Sequence, residues 1–162
     1  MPLQSLCHAI EKSSLSKGME HWDVLLPGLE ALHILSMVLL VGSIATFDLR
    51  LLGLVMRPVS VSRMGERLLA CTWTAFSVNI ITGALLFTNL AETKYCFNPS
   101  FRIKLALILL AGLNMSVFRF TIYRSVSRWD NAPAPPVWAK LTGTFSVLLW
   151  AGVVMVAKWI SF

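Results

Sequence analysis

The chain has 162 residues, of which 56% are hydrophobic and 14% are charged, and its mean hydropathy is +0.70. A soluble domain is about 45–50% apolar and about 25% charged, so this composition excludes an ordinary soluble domain and indicates one small membrane protein. The formal charge of +6 is distributed between apolar runs, without the basic stripe and interleaved aromatic residues of a nucleic-acid-binding surface.

Residues 1–23 form the first predicted unit, which is amphipathic rather than continuously apolar. Leu3, Leu6, Cys7 and Ile10 fall on one face of a helix. This pattern predicts an interfacial helix that lies on the bilayer, with a frayed terminus as the alternative. The unit lacks the long apolar core and the small-residue cleavage site of a secretory signal.

Residues 24–162 form the second predicted unit, which contains four membrane spans. A span needs roughly 20 predominantly apolar residues. Four stretches qualify, at about residues 26–52, 68–91, 101–123 and 137–162. The predicted fold class is therefore all-α: an integral membrane four-helix bundle with an N-terminal interfacial amphipathic helix.

The basic residues predict how the bundle is oriented. Eight lie on the side of the loops after the first and third spans: Arg50, Arg57, Arg63, Arg67, Arg119, Arg124, Arg128 and Lys140. Six lie on the other side: Lys12, Lys17, Lys94, Arg102, Lys104 and Lys158. Because cytoplasmic loops are richer in Lys and Arg, we expect a multi-pass protein of the bacterial inner membrane with both termini extracytoplasmic.

Glu30 and His33 are the most informative polar residues in the predicted spans. Their i, i+3 spacing places both on one helix face. Ionisable groups at membrane depth are costly, and they usually face a bundle interior, a cavity or a cofactor. In di-iron bundles a Glu-x-x-His motif supplies two ligands, but a second such motif is needed. The other three spans contain neither that motif nor a carboxylate, so a di-metal site within one chain is not expected.

Three roles for His33 remain open. It could bind haem b, with a methionine as the second axial ligand. It could bind copper together with methionine sulfur, which is a soft ligand for Cu(I). The candidate methionines are Met37, Met115 and Met155. Without a cofactor, the methionines would fill gaps between helices, and His33 would hydrogen-bond to Glu30 or to a neighbouring helix.

Four further polar residues are expected to have structural roles. Asp48 and Arg50 end the first span, where we expect Asp48 to pair with a basic group of the following loops. Asn79 and Asn114 lie near the middle of the second and third spans. Amides at that depth hydrogen-bond across helices, each contributing about 0.6–2 kcal/mol.

Two cysteines fall on the predicted extracytoplasmic side. A disulfide between Cys7 and Cys96 would attach the interfacial helix to the loop between the second and third spans, if the two residues lie close enough. Cys71, in the second span, is expected to act as a small apolar residue. His8 and His21 do not form a zinc-binding spacing with Cys7.

Several short strings in residues 24–162 occur together in a specific order. They read Pro-Gly-Leu-Glu-Ala-Leu-His at 27–33, Asp-Leu-Arg-Leu-Leu-Gly at 48–53, Asn-Pro-Ser-Phe-Arg-Ile-Lys at 98–104 and Ala-Gly-Leu-Asn at 111–114. This set resembles a family of functionally uncharacterised bacterial inner-membrane proteins with four helices.

That family is loosely similar to copper-resistance D-type proteins and to di-haem cytochrome b bundles, which implies copper or haem as a candidate cofactor. Its members often carry a histidine shortly after the Ala-Gly-Leu-Asn string. This chain instead reads Met-Ser-Val-Phe-Arg at residues 115–119, so one candidate ligand is missing.

The sequence contains no recognisable nucleophile–base pair, phosphate loop or pair of acid–base carboxylates, so we do not expect a catalytic site. The leading hypothesis is an accessory or assembly subunit of a larger membrane complex, or a homo-oligomer. The competing hypothesis is an electron-transfer or metal-handling protein that binds haem b or copper through His33. Small-molecule transport is weaker, because the spans show no inverted repeat or pair of broken helices.

Overall fold

The computed structural model describes residues 2–20, 24–130 and 134–160, and all regular structure within these ranges is helical. The α-helices are α1 (Pro2–Glu11), α2 (Ser14–Glu20), α3 (Leu25–Leu51), α4 (Val61–Asn89), α5 (Pro99–Val117) and α6 (Val137–Ile160). Two π-helical turns, Ala91–Tyr95 and Phe118–Ile122, and a 3₁₀ helix, Tyr123–Arg128, complete the described elements. The predicted all-α class is confirmed.

Four helical stretches of the described residues are long and apolar enough to cross a membrane, so the chain is a multi-pass membrane protein. They are Leu25–Leu51, Val61–Asn89, Pro99–Arg128 and Val137–Ile160. The shortest would extend roughly 36 Å at about 1.5 Å per residue. That length is enough for a hydrocarbon core of about 30 Å.

The second span starts earlier than its apolar run. Helix α4 begins at Val61, whereas hydropathy places the start near residue 68. Its first turns contain Ser62, Arg63, Glu66 and Arg67, which are too polar for the bilayer core. The backbone nevertheless stays helical, because a helix satisfies its own hydrogen bonds inside and outside the membrane.

Helices α3 and α6 form the centre of the bundle. Helix α3 packs against α4 and also against α6, and α6 packs in turn against α5. Gly143 of α6 lies close to α3, since a Cβ there would be 3.3 Å from the Asp48 carbonyl oxygen and 3.3 Å from Leu51 Cβ. Helices α4 and α5 meet at one end through the stacked rings of Phe87 and Phe101, 5.5 Å apart.

The opposite end of the bundle is closed by a hydrophobic cluster. It contains Leu51, Val61, Phe118 and Ala139, with Phe47, Ile122, Tyr123, Val126 and Trp129 packed around it. Asp130 joins this end to α4, because its carboxylate accepts hydrogen bonds from the Ser62 backbone N–H at 2.7 Å and the Ser62 hydroxyl at 2.5 Å. An anion near a helix N-terminus stabilises the unpaired N–H groups there.

The N-terminal unit differs from the single interfacial helix expected from its sequence. A break at Lys12 and Ser13 divides it into α1 and α2. Helix α1 packs on the π turn Ala91–Tyr95 and on α4, and α2 packs on α3 and α4. These helices therefore cover one end of the bundle. His21 lies outside the described residues.

Candidate functional site

His33 lies on α3, half-buried, with its imidazole ring turned toward α4. Its Nδ1 is 2.9 Å from the Thr82 hydroxyl oxygen. The Thr82 hydroxyl donates its single hydrogen to backbone carbonyls of α4, with Val78 at 2.7 Å. With that hydrogen directed to the α4 carbonyls, we assign the tautomer in which Nδ1–H donates to the Thr82 oxygen and Nε2 carries the lone pair.

Three other residues complete the His33 cluster. Asn79 Nδ2 donates to the His33 carbonyl at 3.0 Å and to the Ser36 hydroxyl at 3.1 Å. The Ser36 hydroxyl donates to the same His33 carbonyl at 2.9 Å. A Cβ on Gly83 would be only 3.0 Å from His33 Cε1, so the ring occupies space that only glycine leaves open. The cluster thus joins α3 to α4 by hydrogen bonds and by close packing.

Glu30 does not take part in this cluster. In the described chain it forms no hydrogen bond with His33, and its side chain is exposed. Its charge acts on Tyr95 of the π turn: burial, followed by the negative charge of Glu30, raises the pKa of the Tyr95 phenol. The two residues predicted as a pair therefore interact with different elements.

Lys104 is the charged residue near His33 that the sequence interpretation overlooked. It is half-buried on α5, within electrostatic range of the imidazole ring. No carboxylate of the described residues lies within ion-pair distance of it. The depth of each residue in the membrane would have predicted this proximity. Lys104 is five residues into α5 and His33 is eight residues into α3, which places them roughly 8 and 12 Å from the same end of the bundle.

Among the described residues, the side chain that hydrogen-bonds to the His33 ring is a threonine hydroxyl rather than a second metal ligand. Nowhere in the described ranges do three or more His, Cys, Asp or Glu side chains group to hold a metal ion. Met115 lies roughly 24 Å into α5, about 12 Å deeper than His33, and is 45% exposed. Met155 is also exposed, and the Lys104 cation would oppose a metal cation. Met37, one turn after His33, is the nearest candidate by position.

Asp48 and Arg50 are both buried, but they serve different contacts. Asp48 hydrogen-bonds to Ser146 of α6, and among the described residues it has no basic partner, so the predicted ion pair is wrong. Arg50 donates from Nε to the Val59 carbonyl at 2.8 Å and from Nη2 to the Arg57 carbonyl at 3.4 Å. It therefore holds the turn between α3 and α4. Asp48 Oδ2 and Arg50 Nη1 are buried without a partner.

The sides of the bundle carry open grooves, and two of those formed by the described residues bear on function. The α5–α6 groove has a volume of about 660 Å³ and lies at the end that contains the 3₁₀ helix. Its lining includes Asn114, whose Nδ2 donates to the Thr142 carbonyl at 3.0 Å across the two helices. The α3–α4 groove, of about 380 Å³, is lined by Leu35, Leu39 and Cys71, among others.

Three bonds attach α1 to the π turn Ala91–Tyr95 and the residue after it. Cys7 and Cys96 form a disulfide, with their Cα atoms 6.5 Å apart. His8 Nδ1 is 2.5 Å from a Glu92 carboxylate oxygen. The Glu92 backbone N–H donates to the Glu11 carboxylate at 2.6 Å. Only the cysteine pair was visible as a candidate contact in the sequence.

Fold and site together define a small, multi-pass helical membrane protein whose interior polar groups mainly connect its own helices. The chain belongs to a family of unknown function (DUF6644), which it matches over residues 23–162. No curated protein and no solved structure matches the chain. The family assignment names no activity, so a function has to be argued from the geometry.

Proposed function

We propose that this protein is a non-catalytic accessory or assembly subunit that binds other membrane subunits, or a second copy of itself, through the outer face of α4. The observation that carries the proposal is a stripe of small exposed residues on that face. The stripe consists of Ala70, Thr74, Ser77 and Ala84. Their spacing of four, three and seven residues places them in one line along the helix, which the larger exposed Ile81 interrupts between Ser77 and Ala84.

The stripe is suited to contact with another transmembrane helix. Lipid chains are as apolar as leucine, so helices in a bilayer associate through close packing and hydrogen bonds rather than hydrophobic burial. Small residues let two backbones approach, and Thr74 and Ser77 add hydroxyl groups. The α3–α4 groove runs beside the stripe, since Ala70 and Thr74 also line it. Side chains of a partner helix could occupy that groove.

We also propose that the protein lies in the bacterial inner membrane with both termini extracytoplasmic. The Cys7–Cys96 disulfide supports this orientation, because disulfides persist outside the reducing cytosol. The bias of basic residues, eight against six, points the same way.

Site-specific cross-linking in native membranes tests the α4 contact. A photoreactive residue at Thr74, on the stripe, should capture a stoichiometric partner or a second copy of the chain. The matched control is the same residue at Leu109 of α5, which is 74% exposed and lies off the stripe. Equal capture at both positions, or none at Thr74, would argue against the proposed face.

Cys71 gives a second test without any added residue. It is exposed beside the stripe, and it is the free cysteine among the three in the chain, since the other two are bonded to each other. If the partner is a second copy, mild oxidation of membranes should produce a disulfide-linked dimer. Cys71→Ser should abolish that dimer.

A haem b or copper protein is the second candidate, and one observation favours it. In the tautomer assigned above, Nδ1–H of His33 donates to Thr82 as a supporting hydrogen bond, and the lone pair of Nε2 can bind a metal. A second ligand would have to come from Met37 or another subunit. An absorption spectrum with a Soret band, or stoichiometric copper by elemental analysis, would support this candidate if it disappears in His33→Ala.

A further inference from the structure

The α5–α6 groove opens toward the bilayer, and the subunit proposal does not use it. Val117, Leu141 and Phe145 in its lining are each about half exposed or more. Its volume of about 660 Å³ lies within the range of roughly 300–1,000 Å³ that is typical of small-molecule pockets. The π turn Phe118–Ile122 contributes one wall, and π turns inside helices frequently mark functional sites.

The polar side chains in the groove wall are largely bonded within the protein. Four of them donate hydrogen bonds to backbone carbonyls: Asn114, Thr121, Ser125 and Thr142. The Ser125 hydroxyl also accepts a hydrogen bond from Trp129 Nε1 at 3.3 Å. A ligand in the groove would therefore meet mainly hydrocarbon, which suits an acyl chain.

Positive charge lies at one end of the groove. In a 3₁₀ helix, residues i and i+3 eclipse each other, so Arg128 shares a face with the groove residue Ser125. Arg124, the residue before Ser125, is also exposed, but it lies about a third of a turn from that face. Neither arginine pairs with a carboxylate of the described residues. The nearby Asp130 carboxylate is bonded to Ser62 instead.

Two tryptophans show at which depth this end of the groove lies. Trp129 and Trp138 both line it, and Trp138 is 71% exposed. Indole rings concentrate at the headgroup level of a bilayer. The arginines would then be at the level of lipid headgroups, with the apolar part of the groove beside the acyl chains.

We propose that the α5–α6 groove binds an anionic diacyl phospholipid. One acyl chain lies along Val117, Leu141 and Phe145, and the phosphate-containing headgroup pairs with Arg128. The charge selects an anionic over a zwitterionic headgroup, and the groove supplies the affinity for hydrocarbon. The site is separate from the α4 stripe, so the two proposals can fail independently.

Native mass spectrometry of the full, delipidated chain in mild detergent tests this site. The chain is titrated with phosphatidylglycerol or with phosphatidylcholine of the same acyl composition. Phosphatidylglycerol should bind more tightly. Arg128→Gln should weaken its binding roughly fivefold, as expected for one basic residue near anionic headgroups, and leave the binding of phosphatidylcholine unchanged.

Two matched controls separate the groove from general charge effects. Arg63→Gln removes an exposed arginine at the same end of the bundle, on α4, and should not change binding. Leu141→Trp should block both lipids by filling the groove, whereas Leu148→Trp, outside the groove on the same helix, should not. Both leucines are more than half exposed, so either substitution is compatible with folding.

Three outcomes would overturn the lipid site. Equal affinity for the two lipids would show that the positive charge at this end of the groove does not select the headgroup. An equal loss in Arg63→Gln would show that any nearby positive charge suffices. Capture of a protein, rather than a lipid, by a photoreactive group at Leu141 would assign the groove to a polypeptide partner.

Discussion

At the residue scale, His33 illustrates how a polar side chain inside a bundle can serve packing. The ring is held by a hydrogen bond to Thr82, and it packs closely against the backbone at Gly83. A hydrogen bond of this kind contributes about 0.6 kcal/mol on average in a membrane protein, so the close packing is at least as important. The contact favours glycine because a Cβ at position 83 would lie 3.0 Å from His33 Cε1, so the ring would have to shift to admit it.

Gly83→Ala should therefore lower the free energy of unfolding by about 1–3 kcal/mol, as overpacking does in other cores. Thermal unfolding in bicelles measures the change. Gly42→Ala is the matched control, since a Cβ at that position would have no atom of another side chain within 4 Å and the helix gains an alanine. In the His33→Ala background the penalty at Gly83 should disappear. A penalty that persists there would contradict the contact.

The position of Glu30 near Tyr95 leads us to predict how Glu30 affects the pKa of the Tyr95 phenol. Its negative charge disfavours the Tyr95 phenolate, so Glu30→Gln should lower the Tyr95 pKa toward its ordinary value. The chain has two tyrosines, and Tyr123→Phe leaves Tyr95 as the sole phenol for an absorbance titration. Glu66→Gln, an exposed carboxylate at the other end of the bundle, serves as control. An unchanged Tyr95 pKa in Glu30→Gln would show that Glu30 points elsewhere.

At the element scale, the sequence predicts the spans well and their ends less well. Apolar runs locate α3, α4, the α5 span and α6, because the bilayer demands continuous hydrophobicity. The early start of α4 and the division of α1 from α2 lie in polar segments, where hydropathy has no signal. The π turn Phe118–Ile122 reflects one extra residue in a turn and leaves no periodic pattern.

The sequence predicted one member of the candidate site, His33, but not the residues that contact it. His33 stands out because it is ionisable within a span. Its partners Thr82 and Asn79 are 49 and 46 residues away, and their alignment depends on how α3 and α4 slide against each other. The relative position of the two helices along their axes cannot be read from a single sequence. The Glu30–His33 pairing followed local spacing, whereas in the structure His33 bonds to α4 and Glu30 remains exposed near the Ala91–Tyr95 turn.

The contact between Asp130 and the start of α4 gives a prediction at this scale. Asp130→Ala removes the acceptor of the Ser62 backbone N–H and hydroxyl, and should cost about 0.5–2 kcal/mol, as other helix caps do. Thermal unfolding measures the loss, and hydrogen exchange should quicken in the first turn of α4. Glu66→Ala, exposed on the same helix, should change neither quantity. Unchanged exchange in Asp130→Ala would refute the capping role.

At the scale of the whole molecule, the two ends of the bundle are closed and parts of its sides are open. One end is covered by α1, which is joined to the α4–α5 connection by a disulfide. The other end is sealed by the hydrophobic cluster around Leu51 and Val61. The exposed stripe of α4 and the α5–α6 groove both face sideways, toward lipid or a partner. A protein arranged this way is suited to lateral contact.

Copurification from mild detergent tests that central claim most directly. Replacing Thr74 and Ser77 with leucine should prevent close helix approach and remove the bound partner, while the thermal stability of the chain itself is retained. The control places leucine at Ala106 and Ser116, which are exposed on α5. We expect the native chain and the control to purify with a stoichiometric partner or as an oligomer. A native chain that purifies as a clean monomer, or a stripe variant that keeps its partner, would contradict the proposal.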